Sequence, residues 1–244
     1  MKLPILRGII KRRMLINYRV DVDVMQRFLP APFRPKLHQG NAIAGICLIR
    51  LEQIRPAGLP SVLGFSSENA AHRIAVEWDD AAGEKNEGVF IPRRDTGSCL
   101  NQLAGGRVFP GEHHAATFQV LDDGTRVDFT MQSDDKAVSV RVRGFDADAL
   151  PASSCFPSLA ASSDFFQCGS LGYSVTCDAR RLDGMHLKTL HWQVKALTIE
   201  EVESSFFADV SHFPVGTVEF DHALIMRDIP HEWHQAPAMF SQPN

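Results

Sequence analysis

Long apolar runs are missing from this sequence: no window approaches the ~18 residues that a membrane-spanning helix needs. The N-terminal "MKLPILRGIIKRRML" is basic and apolar, but it has neither a long apolar centre nor a small-residue cleavage site. It reads as a first strand or arm rather than a leader. Excess charge of one sign is missing too. The net charge is -4 over 244 residues, which gives no electrostatic reason for broad nucleic-acid binding. Cysteine is sparse: Cys47, Cys99, Cys155, Cys168 and Cys177 form an odd set without C-x-x-C or zinc-finger spacing. They suit a reducing cytoplasm, each acting as a small buried hydrophobe. There is no G-x-S-x-G, no Walker loop and no dinucleotide fingerprint. "QLAGGRVFPG" carries glycines at the wrong spacing to cradle a phosphate and reads as a turn. The expectation is no metal, no cofactor, no membrane and no nucleic-acid partner.

What is present is strand pattern. "RRMLINYRV" sets Met14, Ile16 and Tyr18 against Leu15, Asn17 and Arg19, a strand with one partly polar face. "DVDVMQRFLP" follows as a short helix with Asp21 as its cap and Pro30 past its end. "NAIAGICLIRLEQI" is apolar throughout, as in a strand buried on both faces. "HRIAVEWDD" and "GVFIPRR" flank a polar turn. "HHAATFQVLDDGTRVDFTMQS" is a hairpin turning at Asp123-Gly124, and "KAVSVRVRG" continues the meander. "SLAASSDFFQCG" reads as a second helix ending near Gly169, and the segments around residues 190–207 and 216–227 return to strand. Together these predict a mainly β (α+β) domain over residues 1–235 with a flexible tail over 236–244. The sheet is expected to curl into a cone or barrel, helices outside and a small-molecule pocket within.

Several side chains are candidates for that pocket. "IPRRDT" ends a strand in Arg93, Arg94 and Asp95. The arginines should face opposite sides, and an inward guanidinium needs a counter-charge or an anionic ligand. A solvated strand end braced by Asp95 is the plainer account. "SSENAAHR" places Glu68, Asn69 and His72 within five residues; Glu68 and His72 share a face in either helix or strand, can meet there, and are candidates for acid–base work. A polar loop before a strand is the plainer account of them. His113 and His114, and likewise Asp221 and His222, should point to opposite faces if extended.

Taken in order, these motifs carry a resemblance. "INYRVDVDVMQRFLPAPFRP" resembles the N-terminal strand–helix unit of acetoacetate decarboxylase: a tyrosine–arginine, an aspartate-started helix and a closing Pro-x-Pro. "VFIPRRDTG" looks like its active-site strand end, where an aromatic and a proline precede two lysines. "VKALTIEEV" and "VEFDHALIMRDIP", with Phe-Asp-His-Ala, resemble its closing strands. "SSENAAHRIAVEW", "IPRRDT", "GSLGYS" and "EVESSFF" are closer still to a bacterial family of unknown function related to that enzyme. The resemblance implies a cone-shaped, antiparallel acetoacetate decarboxylase-like β barrel with a few peripheral helices, a deep pocket and an assembly of identical chains.

The resemblance also implies a loss. Arg93 stands at the place of the Schiff-base lysine and Arg94 at that of its neighbour. A guanidinium stays protonated and forms no imine. "AGICLIR" is apolar where a pocket glutamate would fall, and Glu68 is the candidate to replace another. A Schiff base moved to Lys195 is the remaining lysine option. The leading expectation is a protein that binds a small organic anion or carbonyl compound through Arg93, with Arg94, Asp95 and Asn69 beside it, and is not a Schiff-base decarboxylase. One alternative is a lyase or hydrolase acting on an organic acid or lactone with Glu68 or His72 as acid–base group. The other is a non-catalytic interaction protein with a filled core.

Overall fold

The computed structural model describes residues 4–98 and 111–240. Cys99 and the glycine-bearing 102–110 stretch lie outside the described residues. Thirteen strands, β1 (Leu6–Val20), β2 (Arg34–Pro35), β3 (Leu37–His38), β4 (Asn41–Pro56), β5 (Phe65–Asp79), β6 (Lys85–Thr96), β7 (His114–Asp122), β8 (Arg126–Ser133), β9 (Ser139–Ala147), β10 (Leu171–Val175), β11 (Arg181–Thr189), β12 (Lys195–Ser204) and β13 (Val218–Phe240), form one sheet among the described residues. Their order is β11-β10-β6-β7-β8-β9-β12-β13-β1-β4-β5-β2, with β3 on β4. The extra pairings β5–β6 and β11–β13 link strands far apart in that order, so the sheet curls back on itself.

The site is built on β1 (Leu6–Val20), β4 (Asn41–Pro56), β5 (Phe65–Asp79), β6 (Lys85–Thr96), β10 (Leu171–Val175), β11 (Arg181–Thr189) and β13 (Val218–Phe240). Most pairings are antiparallel, but β6 pairs in parallel with β7 (His114–Asp122) and with β10. The sheet, antiparallel in the form the resemblance implies, is mixed at β6. Parallel neighbours need a long connection, and the chain between Thr96 and His114 supplies one.

The sheet buries both of its faces. One apolar cluster takes Met14, Ile16 and Tyr18 from β1, Ala44, Ile46 and Leu48 from β4, and Phe129 and Val142 from the strands around β8. The other takes Leu15, Ile43, Cys47 and Ile49 and the ring of Phe166. This is why "NAIAGICLIRLEQI" does not alternate: its odd and even residues enter different cores.

Two helices lie among the described residues, α1 (Val22–Phe28) and α2 (Leu159–Gln167). Asp21 caps α1, accepting from Val24 N at 3.0 Å, and Ser158 caps α2, accepting from Ala161 N at 3.1 Å. Gly169 closes α2 by donating to Phe166 O at 3.2 Å.

Two expectations change. Residues 236–240, read as a loose tail, finish β13, with Ala236 opposite Gly184 and Phe240 opposite Arg181. The "SSENAAHR" segment lies wholly within β5. Its polar side chains disguise a strand because Glu68 and Asn69 are each satisfied by partners from other strands.

Candidate functional site

A cavity of about 110 Å³ opens on the face of the sheet that carries Leu15 and Cys47. Its walls are mostly apolar, with Ile49, Val89, Ile91, Met185 and Trp233 among them. Three guanidiniums reach it from three strands: Arg13 of β1, Arg73 of β5 and Arg94 of β6.

Arg94, not Arg93, faces the cavity, and a β-bulge decides it. His72 pairs with Arg93 and Ile74 pairs with Phe90, so Ile91 and Pro92 together oppose Arg73. The extra residue shifts the side-chain alternation by one. Proline, which has no N–H to give a ladder, suits that position. Past the bulge, Arg94 stands opposite Ala71, which stands opposite Cys47. The small alanine leaves the long arginine room above it. Arg94 Nε donates to Ser174 Oγ at 2.8 Å. Burial lowers its pKa to about 10, so it keeps its charge at neutral pH.

Arg73 is 4% exposed. It donates to Asn17 Oδ1 and lies 4.6 Å above the Phe166 ring, while its Nε has no partner among the described residues. Burial lowers its pKa to about 10, and the nearby Arg13 charge adds to that. Arg13 Nε donates to Cys47 Sγ at 3.2 Å, and its guanidinium sits 5.9 Å from the Trp192 ring. Among the described residues no carboxylate pairs with any of these three cations.

A buried polar row holds Arg73 in place. Asn17, Gly45 and Arg73 pair across β1, β4 and β5. A Cβ on Gly45 would stand 2.3 Å from Ile16 O, so glycine is what lets the β1 and β4 backbones come this close between Asn17 and Arg73. Asn17 Nδ2 lies 3.1 Å from His222 Nε2, and His222 Nδ1 lies 2.5 Å from Asp221 Oδ2. Asp221 also accepts from Ser154 Oγ at 2.7 Å and from Cys155 N at 2.8 Å. Burial opposes the Asp221 charge, but these hydrogen bonds outweigh it and hold its pKa well below the usual carboxylate range. Adjacent residues on a flat strand would diverge. Asp221 and His222 meet because the β1–β13 register shifts at this point, Asn17 facing His222 and Tyr18 facing Phe220.

The remaining candidates separate. Arg93 turns to the opposite face, where it donates to Asp95 at 2.8 Å and to Asp135 at 2.9 Å. Burial works against its charge, yet those two carboxylates raise its pKa. Asp95 borders the cavity but commits its carboxylate to Arg93; burial raises its pKa against that pairing. Asn69 lines the cavity, with its amide tied to Ser67 Oγ at 2.9 Å and Thr96 Oγ1 at 2.7 Å.

Glu68 and His72 lie on the face away from the cavity. Glu68 pairs with Arg12 at 2.7 Å, and burial raises its pKa. His72 is fully buried against Phe206, ring centroids 4.3 Å apart. Burial, with the Arg93 charge second, lowers its pKa to about 3. The expectation that Glu68 and His72 meet fails on distance: four residues along a strand span about 13 Å.

His113, just before β7, lines the cavity, while His114, the first residue of β7, approaches Asp135 at 3.6 Å. Burial lowers the His113 pKa to about 3. Lys195 is mostly exposed and reaches Asp146 at 3.4 Å. No lysine lines the 110 Å³ cavity among the described residues. Nor do they contain a cluster of three or more His, Cys, Asp or Glu able to hold a metal, or a helix long and apolar enough to cross a membrane.

Sequence reasoning missed Arg13 and Arg73. A signal for the first existed: Arg13, Leu15 and Asn17 belong to the partly polar face of β1. Arg73 was overshadowed by its neighbour His72.

A family profile matches residues 10–216. The chain belongs to the DUF2071 family of uncharacterized conserved proteins. No curated protein sequence matches it significantly. Solved structures show what this DUF2071 chain is similar to in fold. Acetoacetate decarboxylase from Legionella pneumophila aligns over 99% of this chain and 88% of its own at 13% identity, TM-score 0.58. An acetoacetate decarboxylase-like enzyme from Sphingomonas wittichii RW1 aligns over 98% and 93% at 13% identity, TM-score 0.58. The enduracididine biosynthesis enzyme MppR complexed with pyruvate aligns over 98% and 91% at 14% identity, TM-score 0.56. At such identities the likeness is one of fold: this DUF2071 chain has the acetoacetate decarboxylase-like, mainly β fold.

Proposed function

We propose that this DUF2071 protein binds a small organic anion, with or without a carbonyl group, in the cavity between β1, β5 and β6, and does not form a Schiff base there. One observation carries the reading: Arg13, Arg73 and Arg94 line one cavity and no described carboxylate compensates them. Leaving buried cations unpaired is costly, and a carboxylate held by two-pronged guanidinium contacts relieves that cost. The cone-shaped barrel expected from the sequence is the natural container for such a pocket. The pyruvate held by the structurally similar MppR is the kind of ligand in mind. The acid–base alternative through Glu68 and His72 loses its basis, because both face away from the cavity.

Cys47 offers a direct test. It lines the cavity beside Arg13, whereas Cys168 and Cys177 are exposed. Ordinary thiolates react more slowly with anionic iodoacetate than with neutral iodoacetamide. At Cys47 the order should reverse, with iodoacetate favoured by about tenfold, or ~1.4 kcal/mol of anion stabilisation. Peptide mass spectrometry reads all three sites in one sample. A Cys47 preference matching that of Cys168 and Cys177 would remove the anion site.

The missing imine chemistry has its own check. Borohydride reduction in the presence of acetoacetate should leave every lysine unmodified, and a reduced adduct on any lysine would reject this part of the reading.

A further inference from the structure

Resting on the anion-binding reading, we infer that the ligand carries two carboxylates joined by an apolar spacer. A second, smaller cavity of about 30 Å³ adjoins the first and shares Arg13, Arg73, Val89 and Gly169 with it. Arg94 borders only the larger cavity, and Arg73 borders both. The two cations stand at different levels: Arg94 is opposite Ala71, and Arg73 lies two residues further along β5 on the same face. That separates their backbones by about 7 Å along the strand direction. Arg13 comes from β1, two strands from β5 by way of β4, and borders both cavities.

Apolar side chains surround the cations: Ile91 stands opposite Arg73, Val89 stands opposite Ala75 just beyond it, and the ring of Phe166 from α2 lies against Arg73. Lys36, at the far end of the smaller cavity, is already paired with Glu87 at 2.7 Å and adds no uncompensated charge. A single carboxylate placed at Arg94 would leave Arg73 as it stands, nine-tenths buried with an unpartnered Nε. A second carboxylate at Arg73 would satisfy that N–H and the charge behind it. A compact dianion such as phosphate would need the three guanidiniums to converge on one point, which their separate levels and the apolar walls oppose.

Titration calorimetry on the whole protein tests this with butanoate and hexanoate against succinate, glutarate and adipate, and with inorganic phosphate alongside. The expected result is a diacid bound at least about tenfold tighter than the monoacid of equal length, with an optimum in the diacid series. Arg73→Gln should erase that diacid advantage. Should that variant not fold, Arg13→Gln, at a half-buried position, should reduce the same advantage. Equal affinity for monoacids and diacids would overturn the inference and leave the anion site standing. Phosphate binding as tightly as the best diacid would also overturn it, in favour of one compact anion. No binding by any acid would sink the anion reading itself.

Discussion

Arg94→Gln should weaken binding of a small carboxylate by about 100-fold, on the scale of one lost charge-assisted hydrogen-bond pair, without lowering stability. Arg94 is a cation lowered to a pKa of about 10 by burial and held by one serine hydroxyl. Removing it relieves a desolvated charge as well as deleting a ligand contact. Arg93→Gln should do the reverse. Its guanidinium is the counter-charge of Asp95, whose side chain is 0% exposed. Deleting one partner of a buried pair leaves the other charge stranded, at a cost of about 3 kcal/mol. Burial already raises the Asp95 pKa, and without Arg93 it should rise further. The sign follows: the deficit of Arg93→Gln is largest at neutral pH, and it shrinks as the pH falls and Asp95 takes up a proton. Urea unfolding and carboxylate titration of both variants separate the roles. If Arg93→Gln lost the ligand and Arg94→Gln kept it, the assignment of faces would be wrong.

Asp221→Ala should be among the most destabilising single changes in the chain, at about 3–5 kcal/mol. It would strand the fully buried His222, remove the acceptor of the half-buried Cys155 N–H and Ser154 hydroxyl, and take one carboxylate from Arg19, which reaches it at 3.2 Å. The Asp221 pKa is held below its unfolded value. Its contribution is therefore complete above the ordinary aspartate pKa, about 3.9, and is lost as pH falls through the lower folded value. Urea midpoints of the parent and Asp221→Ala, followed from neutral pH into acid, should converge at the acid end. Parallel curves would show that Asp221 gains nothing from its hydrogen bonds. Because Asp221 orients His222, and His222 faces Asn17 and Arg73, the variant should also bind carboxylates more weakly.

How much of the fold and of the site was legible beforehand differs. The α1 cap at Asp21, the Asp123-Gly124 turn and the both-sides burial of β4 follow from local chemistry, and each stands in the structure as read. The adjacent arginines of "IPRRDT" are visible in the letters alone. The partnership of Glu68 and His72 was misread because sharing a face was taken for contact, while a strand holds such residues about 13 Å apart.

The sequence by itself determined a mainly β chain with two helices, motifs resembling acetoacetate decarboxylase, and two adjacent arginines near the end of one strand. Only the tertiary structure decided which arginine meets the cavity, since one bulged residue at Ile91 and Pro92 inverts every side chain that follows. It alone gathered Arg13, Arg73 and Arg94 around one space. They are far apart along the chain, and their meeting depends on strand register and sheet curvature, long-range properties that no local pattern of residues encodes.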